Sequence, residues 1–479
     1  MYIEQSNQRL SWNGASYCSW RPFHISNFSI RPFMMNSISQ TDAGWFYPAK
    51  KAYRYTILFF VAILTFGSYF AYDSVGAIAP TLIKELGLDR EAIGQMYTLY
   101  SVAAILSVFV GGLLIDKIGT RRASLLFSGL VTLGAAIVAF APNMWLLYFG
   151  RFIFGWGSES LVVAQSAIFS RWFKGKELAF SFGVGLTLSR LGTLFSFNTE
   201  ALIADYFQNY RYALWAAVVF CIVSLLANFI YIVMDRNGER VLNLKEEGGG
   251  DKIVLAEIKK FNNSYWYVTL LCLTFYSAIF PFTSLSTDFF NSKYGLPMTA
   301  PTEGGFFYQV FYNVIHMFTT AGGTTTIIIF ASMVFAPFFG QLVDKFGRRA
   351  SVMVIGSILM VPAFLIMAFT MVPPVLPMIV LGAAFVMVPA AMWPSIPLIV
   401  EKNRVGTAFG LTTMIQNIGL ALFPWLNGLL RDTTQNYTAS MVMFSTLGLF
   451  GLTFAILLKR ADAREGDHLE KVEREAPAT

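Results

Sequence analysis

The sequence predicts an all-α membrane protein with twelve transmembrane helices in two six-helix pseudo-symmetric halves. Three observations carry that prediction. Hydrophobic residues make up 55% of the 479 and charged residues only 13%, against roughly a quarter charged in soluble domains, so much of the surface faces something other than water. Apolar stretches such as 56–71 and 126–141, with their flanks, are long enough to cross roughly 30 Å of hydrocarbon at about 1.5 Å per residue. A polar-loop motif occurs twice, once in each half.

The spans are placed near 54–78, 93–115, 122–141, 144–170, 177–202 and 211–234 in the first half. In the second they fall near 264–287, 323–343, 350–370, 374–400, 406–430 and 438–459. Backbone polar groups in lipid must be satisfied within a segment or a closed barrel, and low charge over such lengths favours helices over the alternating pattern of a barrel.

The formal net charge of +7 does not indicate a nucleic-acid partner, because the basic residues collect in loops of one parity. Lys117, Arg121 and Arg122 follow span two, Arg171, Lys174 and Lys176 follow span four, and Arg236, Arg240, Lys245 and Lys252 follow span six. Lys345, Arg348 and Arg349 follow span eight, and Lys402 and Arg404 follow span ten. The positive-inside rule makes these loops cytoplasmic, and an even number of spans puts both termini there too. Membrane lipids are the expected surroundings.

Residues 1–50 are polar and lack the apolar core of a cleaved signal, which predicts a disordered cytoplasmic tail, with Met34 or Met35 as other possible starts. The first half then covers 51–234, a polar linker 235–263, the second half 264–460 and a cytoplasmic tail 461–479. Between spans seven and eight, 294–323 is aromatic and Gly-rich, and an external loop with a short interfacial helix near 306–318 is expected. Cys18, Cys221 and Cys272 show no disulfide or metal spacing.

The repeat is GGLLIDKIGTRR at 111–122 and FGQLVDKFGRR at 339–349. Gly112 falls on Gly340, Asp116 on Asp344, Lys117 on Lys345 and Gly119 on Gly347 at one constant offset. Glycine permits close approach and a tight turn. The aspartates can cap a helix or pair with an arginine, and Arg121, Arg122, Arg348 and Arg349 can anchor the loops at headgroups. These residues are read as gating or structural.

Candidate binding residues are the polar groups inside spans, since a charge in hydrocarbon is costly and kept for a reason. Glu159 in span four lies 14 residues before the turn near Phe173 and Arg190 in span five lies 17 after it, so both sit roughly 20 to 25 Å along antiparallel neighbours, at similar depth. They can neutralise each other as a structural ion pair, or hold the two ends of a zwitterion, Glu159 taking the ammonium and Arg190 the carboxylate. Arg151, in the sequence Arg-Phe-Ile-Phe-Gly-Trp-Gly, suits a structural or gating role or substrate contact. Span one offers Tyr69, Tyr72 and Asp73, the last read as a helix-end cap or a proton or substrate site. Span ten carries Pro389, Pro394 and Pro397, where a gate could bend, and Trp393, which could stack on cargo; span eleven offers Gln416.

There is no phosphate-binding Gly-Lys-Ser/Thr loop, no His-Glu-x-x-His, and His24, His316 and His468 are scattered. An enzyme, a cofactor or a metal site is not expected.

The doubled loop and the span-four Arg-x-x-x-Gly-x-Gly resemble signatures of the major facilitator superfamily, in which two halves rock about a central cavity. Within it, FGSYFAYDSVGAIAPTL, the span four to five block GRFIFGWGSESLVVAQSAIFSRWFKGKELAFSFGVGLTLSRLGT, and AMWPSIPLIVEKNRVGTAFGLTTMIQNIGLA resemble a family of lysosomal dipeptide uniporters. That resemblance implies export of dipeptides without a coupling ion, with Glu159 and Arg190 addressing the peptide termini, and an accessory membrane glycoprotein where the carrier is lysosomal. The tail lacks an acidic dileucine signal and 299–319 looks like an insertion relative to that family. Both point to a bacterial plasma membrane, with the lysosomal membrane as the alternative.

Overall fold

The computed structural model describes residues 47–48, 50–173, 177–242, 260–401 and 404–471, with the side chains at 108, 109, 179 and 344 left out. Most of the expected N-terminal tail, the linker positions 243–259 and the side chain of Asp344 therefore lie outside the described residues. Among the described residues fifteen α-helices follow one another: α1 (Lys51–Ala77), α2 (Ala79–Leu86), α3 (Arg90–Ile118), α4 (Thr120–Phe140), α5 (Met144–Phe173), α6 (Leu178–Tyr206), α7 (Tyr210–Leu242), α8 (Asn263–Ser284), α9 (Ser286–Tyr294), α10 (Phe306–Ile315), α11 (Ala321–Phe346), α12 (Arg349–Phe369), α13 (Val375–Ile399), α14 (Val405–Thr434) and α15 (Thr438–Glu465). No strand occurs among the described residues.

Each of the twelve expected spans is met by one long helix. Ten are long and apolar enough to cross a bilayer on their own, and α3 adds an eleventh when its arms Arg90–Ser107 and Val110–Ile118, bent by 48°, are read together. The twelfth, α6, is 29 residues long and carries Arg190 and Glu200 in its interior. The three short helices α2, α9 and α10 sit in the connections after α1 and α8. Pro389, Pro394 and Pro397 lie inside α13, which runs on through all three.

Within the first half α1 packs on α6 and α7, and α4 on α5 and α7; within the second α8 packs on α14 and α15, and α12 on α13 and α15. Two seams join the halves, α3 against α14 and α6 against α11. The sequence repeat exchanges α3 with α11 and α6 with α14, so the same pseudo-two-fold relates both seams.

Small residues let these seams close to backbone contact. A Cβ on Gly94 of α3 would lie 2.2 Å from the carbonyl oxygen of Pro424, and one on Gly322 of α11 would lie 2.0 Å from that of Phe197 in α6. Both distances are inside van der Waals contact with backbone that cannot swing away. We expect Gly322→Ala to force the α6/α11 seam apart at a cost of about 1–3 kcal/mol, seen as a lower melting temperature of the purified protein in detergent.

Because the helices alternate in direction, the repeated loops share one end of the bundle, here called the basic face. Every hydrogen bond and ion pair that joins the halves among the described residues lies toward the other end, the far face. There Arg90 donates through Nε and Nη2 to the two carboxylate oxygens of Asp288 at 2.8 and 3.2 Å, and Tyr437 donates to Asp288 at 2.6 Å. The Glu91 amide donates to Asp432 at 2.8 Å, while the Glu91 carboxylate accepts from Trp425 Nε1 at 2.8 Å. The bundle is closed at the far face.

At the basic face the two loop repeats have diverged. Asp116 sits exposed in the last turn of α3 and enters no ion pair among the described residues. Arg121 of the same loop pairs with Asp235 at 3.2 Å and with Glu239, both on α7. Asp235 is wholly buried and also accepts from Arg171 Nη1 at 3.0 Å and Trp172 Nε1 at 2.7 Å. Arg122 is exposed. In the second half the α12 N-terminus is met by the chain's own end: the amides of Arg348 and Arg349 donate to the carbonyls of Glu470 and Leu469, and the Glu470 carboxylate takes the Ser351 amide at 2.8 Å. An anion there suits the unsatisfied amides of a helix start.

The glycines of the motif divide likewise. A Cβ on Gly112 or Gly340 would meet nothing within 4 Å, so the close approach expected of them is not made. Neighbouring Gly111 does approach Ser160, and the turns fall on Gly119 and Gly347, whose positive φ of 81° and 65° a side chain would strain.

Candidate functional site

Between the halves, midway along the bundle, lies a cavity of about 300 Å³, at the lower end of the range for small-molecule sites. Its first-half wall comes from α1, α3, α5 and α6, its second-half wall from α8, α11, α13 and α14. All five residues singled out for binding, Glu159, Arg190, Trp393, Gln416 and Tyr72, line it.

The charges are one-sided. Asp73, Glu159 and Arg190 all belong to the first half, whereas the second-half wall is aromatic and uncharged, with Tyr276, Phe280, Phe385 and Trp393 beside the polar Thr413, Gln416 and Asn417. Glu159 accepts a hydrogen bond from the Tyr100 hydroxyl at 2.7 Å, and Ser158 Oγ lies 3.0 Å from the same hydroxyl. The guanidinium of Arg190 rests 4.6 Å from the centre of the Phe385 ring across the interface. It enters no ion pair among the described residues. The structural ion pair considered for Glu159 and Arg190 is therefore not formed here, since a cation over an aromatic face keeps its charge available while partly offsetting its desolvation.

Asp73 departs from the helix-end cap that its sequence position suggested. The helix continues to Ala77, and Asp73, 6% exposed, turns into the cavity wall. Its carboxyl lies within hydrogen-bonding reach of the Thr193 side chain, which lines the same wall.

Arg151 does not line this cavity. It is 1% exposed and donates to the carbonyl oxygens of Ala71 and Tyr72 at 3.2 and 3.3 Å. Its guanidinium lies 4.9 to 5.6 Å from the rings of Tyr97, Phe154, Tyr72 and Tyr100. Two of those rings, Tyr72 and Tyr100, line the cavity, so Arg151 fixes the wall from behind. We expect Arg151→Lys to cost about 2 kcal/mol or more of stability, because a point-charge ammonium cannot reach both carbonyls and face four rings at once; thermal unfolding in detergent measures it.

On the opposite wall Trp393 donates from Nε1 to the Tyr276 hydroxyl at 3.0 Å and stacks on Phe409 at 5.9 Å and 15°. The stacked face of Tyr276 meets Phe280 at 5.7 Å. Gln416 accepts from Cys272 Sγ at 3.5 Å, which leaves its amide NH2 free of protein partners among the described residues.

Sequence reasoning missed Tyr100, Thr193 and Phe385. A single aromatic or hydroxyl residue in a span looks like packing, and the contact of Tyr100 with Glu159 spans 59 positions. A usable signal was present only for α5, where Ser158 and Glu159 are adjacent polar residues in an apolar run.

The profile of the Major Facilitator Superfamily matches residues 61–324 and 312–478. The chain is 31% identical over 424 residues to the lysosomal dipeptide transporter MFSD1 of Danio rerio, covering 86% of this chain and 87% of that one. It is 30% identical over 435 residues to the lysosomal dipeptide transporter MFSD1 of Homo sapiens, covering 88% and 89%. A bacterial homolog of the human lysosomal transporter Spinster, solved in an inward-facing and occupied conformation, matches with a TM-score of 0.63 at 14% identity, over 90% of this chain and 100% of that one. That last likeness concerns the fold alone. Two six-helix halves around a central polar cavity, with the family profile running through both, make this chain a member of the Major Facilitator Superfamily of membrane transporters.

Proposed function

We propose that this transporter carries dipeptides by alternating access as a uniporter, with Glu159 receiving the substrate ammonium and Arg190 its carboxylate. The observation that carries the reading is an acid and a base in one buried cavity, unpaired with each other, facing a wall that offers no countercharge. The ammonium and carboxylate of a dipeptide are separate charged ends, and a bidentate arginine matches a carboxylate. Trp393, Gln416 and Tyr72 would contact the peptide between its ends. The relatives named as dipeptide transporters support the same class.

The orientation is read from charge: the basic face is cytoplasmic and the closed far face is external. The membrane is the plasma membrane of a bacterium, with the lysosomal membrane as the alternative suggested by the relatives' names; an accessory membrane glycoprotein belongs only to that alternative.

Counterflow in proteoliposomes with dipeptides, free amino acids and tripeptides tests the proposal. Exchange of dipeptides but not of the other two is the expected result, and exchange of free amino acids with dipeptides ignored overturns it. A second reading, a proton-coupled carrier of another organic solute, is favoured by Asp73, a second buried carboxyl in the cavity wall beside Glu159. Uptake driven by an imposed pH gradient, absent in Asp73→Asn, would select it.

A further inference from the structure

Between α9 and α11 the chain makes α10, ten residues reading FFYQVFYNVI without one charged side chain. Its two faces differ sharply. Asn313 is 4% exposed and locks the helix to its own loop, accepting from the Ala300 amide at 2.8 Å and donating to the Gln309 carbonyl at 3.0 Å. On the other side Phe307 is 86% exposed, Phe311 64% and Ile315 59%. Their i, i+4, i+8 spacing puts them in one row along the helix.

The row is continuous with aromatic side chains exposed at the same end of the first half, Tyr206, Phe207, Tyr212 and Trp215. Phe306, at the head of α10, packs edge-on to Tyr206 at 5.2 Å and against Phe207 at 5.9 Å. A helix that belongs by sequence to the second half is thus seated on the end of α6 in the first, beside the seam where Gly322 meets Phe197.

We propose that α10 lies in the plane of the far-face leaflet, its Phe307–Phe311–Ile315 row in the headgroup and acyl boundary, and acts as a lipid-held clasp that keeps the α6/α11 seam closed. The occupant is a zwitterionic phospholipid surface. An uncharged aromatic row that continues the belt around the spans suits that boundary, and the lack of Lys or Arg on α10 removes any need for anionic lipid. Opening the far face requires Phe306 to leave Tyr206 and Phe207, so the depth of α10 in the leaflet sets how readily the carrier turns outward.

The test uses the full chain in phosphatidylcholine nanodiscs on a Cys18→Ser background. A spin label at Phe311→Cys is expected to collide readily with oxygen and poorly with a water-soluble nickel chelate. Ready collision with the chelate places α10 in water, and poor collision with both shows that a protein surface or a second copy covers it; either result overturns the proposal. A label pair at Gln208→Cys and Ser292→Cys then reads the seam. Phe311→Asp, which leaves Phe306 intact, should populate a longer distance. An unchanged distribution would mean that lipid plays no part in closure. Both readouts work without substrate, so they stand or fall apart from the dipeptide proposal.

Discussion

Arg190→Ala should lower dipeptide counterflow by about tenfold to a hundredfold while leaving a monodisperse, folded carrier. A hydrogen-bonded contact between guanidinium and carboxylate contributes about 1.5–3 kcal/mol, and among the described residues no second cation lines the cavity to replace it. Arg190 holds no ion pair among the described residues and rests on Phe385, so its loss breaks no salt bridge in the empty state and the fold should tolerate it. Arg190→Lys keeps the charge but not the fork, and an intermediate rate is expected. Glu159→Gln probes the other end of the substrate. It can still accept from Tyr100, so a loss of transport there would be charge and not packing. Wild-type counterflow in either variant would reduce that residue to a structural part and remove the zwitterion assignment.

The largest stability effect should come from the basic face. Asp235 is wholly buried and holds Arg171, Arg121 and Trp172 together, and the Arg171 side chain is itself only 4% exposed. Asp235→Ala leaves a buried guanidinium short of its closest countercharge, which costs about 3–5 kcal/mol. Glu239 remains near Arg171 at 3.8 Å and should hold the loss toward the lower figure. Thermal unfolding of the purified protein reads the effect, with Asp235→Asn as the milder comparison because its amide oxygen can still accept from Trp172. A melting temperature unchanged in Asp235→Ala would mean that the cluster adds nothing to the fold.

Much of this was legible in the chain itself. Apolar length, charge parity and the repeated loop are local or periodic signals, and lipid enforces them strictly, since every span must satisfy its own backbone; the twelve helices consequently fall within a few residues of expectation at most ends, with α7 running on to Leu242 as the largest departure. The same rule exposed Glu159 and Arg190, because an ion inside an apolar run stands out by composition and the antiparallel geometry of adjacent spans fixes its depth. The loop motif forms its turns at Gly119 and Gly347 as expected, whereas Gly112 meets no neighbouring helix and Asp116 enters no ion pair among the described residues, because Arg121 turns to Asp235 and Glu239 on α7 instead.

What only the tertiary structure decided is which residues meet across large separations. The pairing of Tyr100 with Glu159, the seat of Arg190 on Phe385, the cavity-facing turn of Asp73 and the burial of Arg151 behind the wall each depend on the rotation of one helix about its axis. A span whose apolar residues surround it on all sides gives little indication of that rotation. Packing against neighbours, at seams where Gly94 and Gly322 admit backbone contact, sets it instead. The sequence by itself thus determined the two-halved carrier and its two central charges, and the packed bundle determined that those charges face an uncharged aromatic wall, behind a far face that is shut.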